Sequence, residues 1–191
     1  MFKVAAKLLM GNALKLEQGE IKIFNLPVIM MPADIQVHLL KKTVDLFGVE
    51  KGLSLIYNSS KEGNKTYCSG LLKNTAARGN ELSKLYVDIV TLGGYGTAEI
   101  IKFDFEKKVV ICRFYNSPIA NRYKEIFGSP NFPVDAITLG LFAGSYGTLF
   151  NNDYDAIETK CVALGDPYCE FVFAPTEELE RIKEKLKLKL Y

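Results

Sequence analysis

Residues 157–171 read IETKCVALGDPYCEF, from Ile157 to Phe171. Leu164-Gly165-Asp166-Pro167 is turn chemistry, and it lies between two runs that suit strands. The stretch therefore predicts a hairpin with strands around Ala156–Ala163 and Cys169–Phe173. Folding at that turn brings Cys161 and Cys169 face to face near its mouth, with Glu158 three residues ahead of the first. Two thiolates and a carboxylate are a partial shell for zinc, which takes four ligands in structural sites. The same spacing also serves two buried free thiols or a cross-strand disulfide.

Working outward, the periodicity changes from element to element. After Pro175, Thr176 is a cap candidate, Glu177 and Glu178 suit a helix N-terminus, and Leu179, Ile182 and Leu186 form one stripe, predicting a last helix. A helix is expected over about 134–149. Before it, TAEIIKFDFEKKVVICRFYNS (97–117) reads as a second hairpin with its turn at Glu106 to Lys108. Asn80 to Val90 and Asp34 to Phe47 carry helical spacing, whereas 49–78 shows mixed helical periodicity broken by Gly52, Gly63 and Gly70. Glu20 to Phe24 alternates as a short strand. Together these predict an α+β domain, an antiparallel sheet with helices packed on one side.

The 191 residues suit one ordinary domain. A net charge of +2 from 24 basic and 22 acidic residues argues against nucleic-acid binding. No apolar run reaches membrane-span length, and the first 20 residues lack a cleavage site, so a cytoplasmic protein is expected. His38 is the one histidine, which leaves little room for a triad or a His-rich metal centre, and no catalytic residue is assigned.

The segment GLFAGSYG (140–147) is unusual for a helix. Ala136, Gly140, Ala143, Gly144 and Gly147 fall on one face as a stripe of missing side chains, although each glycine costs about 1 kcal/mol relative to alanine. Either another element packs closely there, or the space receives a small molecule. The opposite face carries Leu139, Phe142, Tyr146 and Phe150.

The pattern Glu-x2-Cys-x-Ala-x-Gly-Asp-x2-Cys-x-Phe, preceded by GLFAGSYG and NSPIA, resembles the 4-vinyl reductase domain family. That family includes sensor domains of phenol- and xylene-responsive activators, and its fold is shared with nitric-oxide sensors and with subunits of a vesicle-tethering particle. The resemblance implies zinc at Glu158, Cys161 and Cys169, with the fourth position, a cysteine in the aromatic-sensing relatives, on or near Asp135. It places Phe114 where relatives stack an aromatic ligand, and it implies an apolar pocket between that strand, the helix carrying Tyr86 and the helix carrying Gly140, Phe142 and Gly144. It also implies a homodimer, paired through an N-terminal helical segment over 1–19, ahead of a ligand-binding domain over 20–175 and a C-terminal helix over 176–191. The expected function is a binding or sensor module for a small hydrophobic or aromatic molecule, without catalysis. A reductase-like enzyme of tetrapyrrole or aromatic metabolism and an assembly or tethering subunit are the alternatives.

Overall fold

The structure, a computed structural model, describes residues 13–186. Three short strands, β1 (Leu14–Glu17), β2 (Glu20–Ile23) and β3 (Leu26–Val28), form an antiparallel meander. Residues 14–19 are therefore strand and turn, not part of a helical segment. Leu14 and Leu16 alternate with Lys15 and Glu17, a period of two, and Gln18 and Gly19 reverse the chain with φ of 52° and 83°. Residues 1–12 of the expected segment lie outside the described residues.

Helix α1 (Ala33–Phe47) ends at Gly48, whose φ of 80° turns the chain directly into α2 (Val49–Asn74). The three glycines do not interrupt α2, which runs 26 residues. Each costs only about 1 kcal/mol, and burial of Leu53, Ile56, Cys68 and Leu71 on one side outweighs that. Gly52 has its own reason: a Cβ there would stand 2.8 Å from the Val44 Cα of α1. Helix α3 (Gly79–Leu92) follows, then strands β4 (Thr97–Asp104) and β5 (Val109–Tyr115).

Strand β5 stops at Tyr115, two residues short of the end of the expected hairpin. Asn116 takes a left-handed φ of 57°, Ser117 Oγ accepts the Ala120 N–H at 3.2 Å, and Pro118 occupies the first helical position. Those are helix-start signals, and they open α4 (Pro118–Phe127), an element the sequence reading missed. Helix α5 (Ala136–Phe150) precedes β6 (Tyr154–Lys160), a single 3-10 turn (Val162–Leu164), β7 (Cys169–Pro175) and α6 (Thr176–Leu186).

The four long strands form one antiparallel sheet in the order β4-β5-β7-β6, with Phe114 opposite Cys169 and Cys112 opposite Phe171. Alternation divides its faces. Val110, Cys112, Phe114, Phe171 and Phe173 point into the main core, under α5 and α2. Val109, Ile157, Val172 and Ala174 point the other way, where α6 covers them with Leu179 and Ile182. The helical layer thus lies on one face, and the C-terminal helix crosses to the other. The turn from β7 into α6 is tied at Asp155, which accepts from Tyr57 (2.8 Å), Lys61 (2.6 Å) and Thr176 (2.8 Å).

Candidate functional site

The hairpin β6–β7 does what its sequence requires. The ladder pairs Lys160 with Glu170, so the next residues inward, Cys161 and Cys169, meet across the mouth. Asp166 Oδ2 accepts the Cys161 N–H at 2.8 Å and locks the turn. Asp135 arrives from the start of α5. Ligand atoms of Asp135, Glu158, Cys161 and Cys169 all lie within 4.8 Å of one another, and all four residues are buried. An aspartate at a helix start commonly caps its own helix, but this side chain makes no capping bond and is fully buried. Its oxygens accept from Ser117 Oγ at 3.0 and 3.1 Å.

Electrostatically this is an expensive cluster. Burial holds the Asp135 carboxyl above the usual carboxylate range. Burial, followed by the charges of Asp135 and Cys161, holds Glu158 well above it. The neighbouring Cys169 brings Cys161 down to about 7, while Cys161 and burial push Cys169 up. Glu158 Oε2 accepts the Asp135 N–H at 3.2 Å, yet Glu158 Oε1 is buried with no hydrogen-bond partner among the described residues. An orphaned carboxylate oxygen beside two thiols and a second carboxylate fits a divalent metal: the donor set, its burial and its spacing suit zinc. When bound, such an ion supplies positive charge that keeps all four groups deprotonated and joins the hairpin to α5.

The five residues expected to bind a ligand divide into two groups. Phe114, Phe142 and Tyr86 come together: Phe142 sits edge-on to Phe114 at 5.1 Å and to Tyr86 at 5.0 Å, and Phe114 also lies 4.9 Å from Phe171. Gly140 and Gly144 do not join them. They face α2, where a Cβ on Gly140 would come within 2.8 Å of Ser60 Cβ and would overlap the Tyr57 carbonyl; one on Gly144 would overlap the Lys61 carbonyl. At Gly140 and Gly144 the stripe of missing side chains is therefore filled by the α2 backbone rather than left for a ligand.

The expected apolar cavity beside Phe114 is closed by those rings. A cavity of about 10 Å³, room for one water, lies instead where α2, α3 and α5 converge. Polar groups border it. Ser83 Oγ and Tyr146 OH are 3.2 Å apart, Cys112 Sγ is 3.7 Å from the same phenol oxygen, and Ser145 Oγ is 3.3 Å from Cys68 Sγ. Asn64 donates to Ser145 Oγ at 2.6 Å. Burial pushes the Cys68 thiol up to about 11, so it is a hydrogen-bonding group and not a nucleophile. The sequence by itself marks neither Cys68 nor Tyr146 as part of a polar cluster. Helical spacing of Ser83, Asn64 and Ser145 on facing helices was the available signal, but it acquires meaning only once the helices are docked.

The structure thus combines an antiparallel sheet, a glycine-faced helix docked on a long partner helix, and a Glu-Cys-Cys hairpin. Residues 111–175 match the V4R domain model, a span that runs from within β5 to the end of β7 and contains all four clustered residues, Asp135, Glu158, Cys161 and Cys169. The fold is similar to the phenol-responsive sensory domain of the transcription activator PoxR with phenol: TM-score 0.82, 18% identity, 98% of this chain and 96% of that one. It is also similar to a vinyl-4-reductase family protein from Methanocaldococcus jannaschii (TM-score 0.50, 21% identity, 76% and 82% covered). A third likeness is a trafficking protein particle complex subunit 3 from Naegleria fowleri covalently bound to palmitic acid (TM-score 0.53, 11% identity, 74% and 93% covered). No curated protein matches in sequence.

Proposed function

We propose that this protein is a binding module for a small, neutral, hydroxylated aromatic molecule, held in the core between α2, α3 and α5, and that it performs no catalysis. One observation carries the reading: buried hydroxyl and thiol groups of Ser83, Tyr146, Ser145 and Cys68 border a small cavity at the edge of an aromatic cluster containing Tyr86, Phe142 and Phe114. Rings select a flat apolar body, and the paired groups Ser83–Tyr146 and Ser145–Cys68 offer hydroxyls that can exchange an internal bond for one to a single ligand hydroxyl. The likeness to a phenol-responsive domain over nearly the whole chain supports the same ligand size. Benzene-sized molecules occupy cavities of about 150 Å³, so entry requires Tyr86 and Phe142 to swing apart.

In this reading zinc at Asp135, Glu158, Cys161 and Cys169 is structural, with every position filled by protein. The protein acts as a homodimer. Ile29, Met30, Ile35, Leu39 and Leu46, on α1 and the loop before it, are exposed apolar side chains that support a protein contact. No helix among the described residues is long and apolar enough to cross a membrane. The test of ligand binding is native mass spectrometry of freshly purified protein, followed by calorimetry with phenol and with toluene. A co-purified aromatic, or phenol binding one-to-one and more tightly than toluene, is the expected result; no association with either overturns the reading. Light scattering at micromolar concentration should give twice the 21.4 kDa chain mass.

A further inference from the structure

The geometry points to Ser117 as the positioning residue that makes Asp135 a competent metal ligand, an inference that rests on the zinc reading above. Ser117 is 2% exposed and Asp135 fully buried, so no solvent competes for either side chain. The Ser117 hydroxyl lies 3.0 and 3.1 Å from the two carboxylate oxygens, and its single proton is shared between them. At the same time Ser117 Oγ accepts the Ala120 N–H at 3.2 Å, which draws electron density off the oxygen and strengthens its donation. Asp135 extends the chain by donating its own N–H to Glu158 Oε2 at 3.2 Å. Three elements are thereby connected: the first turn of α4, the start of α5 and strand β6.

A carboxylate needs this support more than a thiolate would. Its two oxygens rotate about the Cβ–Cγ bond, so a neighbour must set the plane in which they lie. The hydrogen bond donated by Ser117 fixes that plane. Ligands of buried metals regularly depend on such outer partners, whose loss weakens metal affinity by about 10–100-fold. The Ser117–Asp135 pair together does the work of one cysteine.

The test measures zinc affinity of the full chain by competition with a chromophoric chelator. Ser117→Ala should bind zinc about 10–100-fold more weakly, and Ser117→Thr, which keeps the hydroxyl, should stay within about threefold of the parent. Because Ser117 also caps α4, a second background separates the two roles. In Asp135→Cys the thiolate no longer needs the hydroxyl, so adding Ser117→Ala should change zinc affinity by less than about threefold. An equal loss in both backgrounds means that Ser117 acts only as a helix cap and overturns the inference, as does parental affinity in Ser117→Ala. A parent protein that takes up no zinc sinks the metal reading itself, a result distinguishable from either of these.

Discussion

A methyl group placed on Gly144 of α5 would overlap the carbonyl oxygen of Lys61 on α2, so these two helices meet backbone to backbone. Gly144→Ala should therefore destabilise the protein by about 1–3 kcal/mol, even though alanine is the better helix former by about 1 kcal/mol. Gly63 is the control. It lies within α2 with nothing near its missing Cβ, and Gly63→Ala should stabilise by about 0.5–1 kcal/mol. Opposite shifts in urea midpoint confirm the contact; shifts of the same sign refute it.

Metal analysis addresses the hairpin. Protein purified without chelators should carry close to one zinc per chain, and Cys161→Ser should lose it. The accompanying fall in thermal stability should exceed what a small buried thiol explains, since metal affinity is folding free energy here. Less than about a tenth of an equivalent of zinc in the parent would leave Cys161 and Cys169 as a pair of core thiols.

The same cluster sets a pH dependence. Burial, helped at Glu158 by neighbouring negative charge, raises both the Asp135 and the Glu158 carboxyls in the fold, while the unfolded chain keeps ordinary values near 4. From about pH 4 upward, the metal-free fold therefore binds more protons than the unfolded chain, and its stability must fall as pH rises. Chelator-treated protein should be more stable at about pH 5 than at about pH 7, and zinc should cancel or reverse that slope. Glu158→Gln should flatten it, and a metal-free stability that climbs with pH through this window would contradict the assignment.

Asp155 has the opposite sign. Burial raises its carboxyl, but the bonds from Lys61, Thr176 and Tyr57 outweigh that and hold it below the ordinary value. Its contribution is present above about pH 4 and is lost as pH falls through the lowered value. Asp155→Asn should cost about 1–2 kcal/mol near neutrality, and the gap from the parent should close in acid. A gap independent of pH would mean that the ion pair contributes nothing through its charge.

The long elements were legible because their periods are strong: α1, α3, α5 and both hairpins follow from residue spacing. Cys161, Cys169 and Glu158 were legible for the same reason, since a short turn fixes which residues meet. Elements that rest on weaker signals were not. Strands β1 and β3 are three or four residues long, and α4 hides behind a strand that flows into its Ser-Pro start. Gly140 and Gly144 were ambiguous in principle. A missing side chain announces proximity without naming the neighbour, and only docking against α2 shows that the neighbour is backbone. Tyr86, Phe142 and Phe114 come from three elements, and their convergence is a tertiary fact.

Helix α2 is about 39 Å long at 26 residues and is unbroken from end to end. Its C-terminal half lies against the small meander, where Leu26 packs over Gly70, and Cys68 borders the cavity one half-turn away. Its middle is seated in the glycine stripe, and its Lys61 holds the residue on which Thr176, the first of α6, also depends. Such a rod is a mechanical lever. A push on it at the cavity would bear on Asp155, where the sheet's other face begins, so an opening of the core is expected to register at the C-terminal helix.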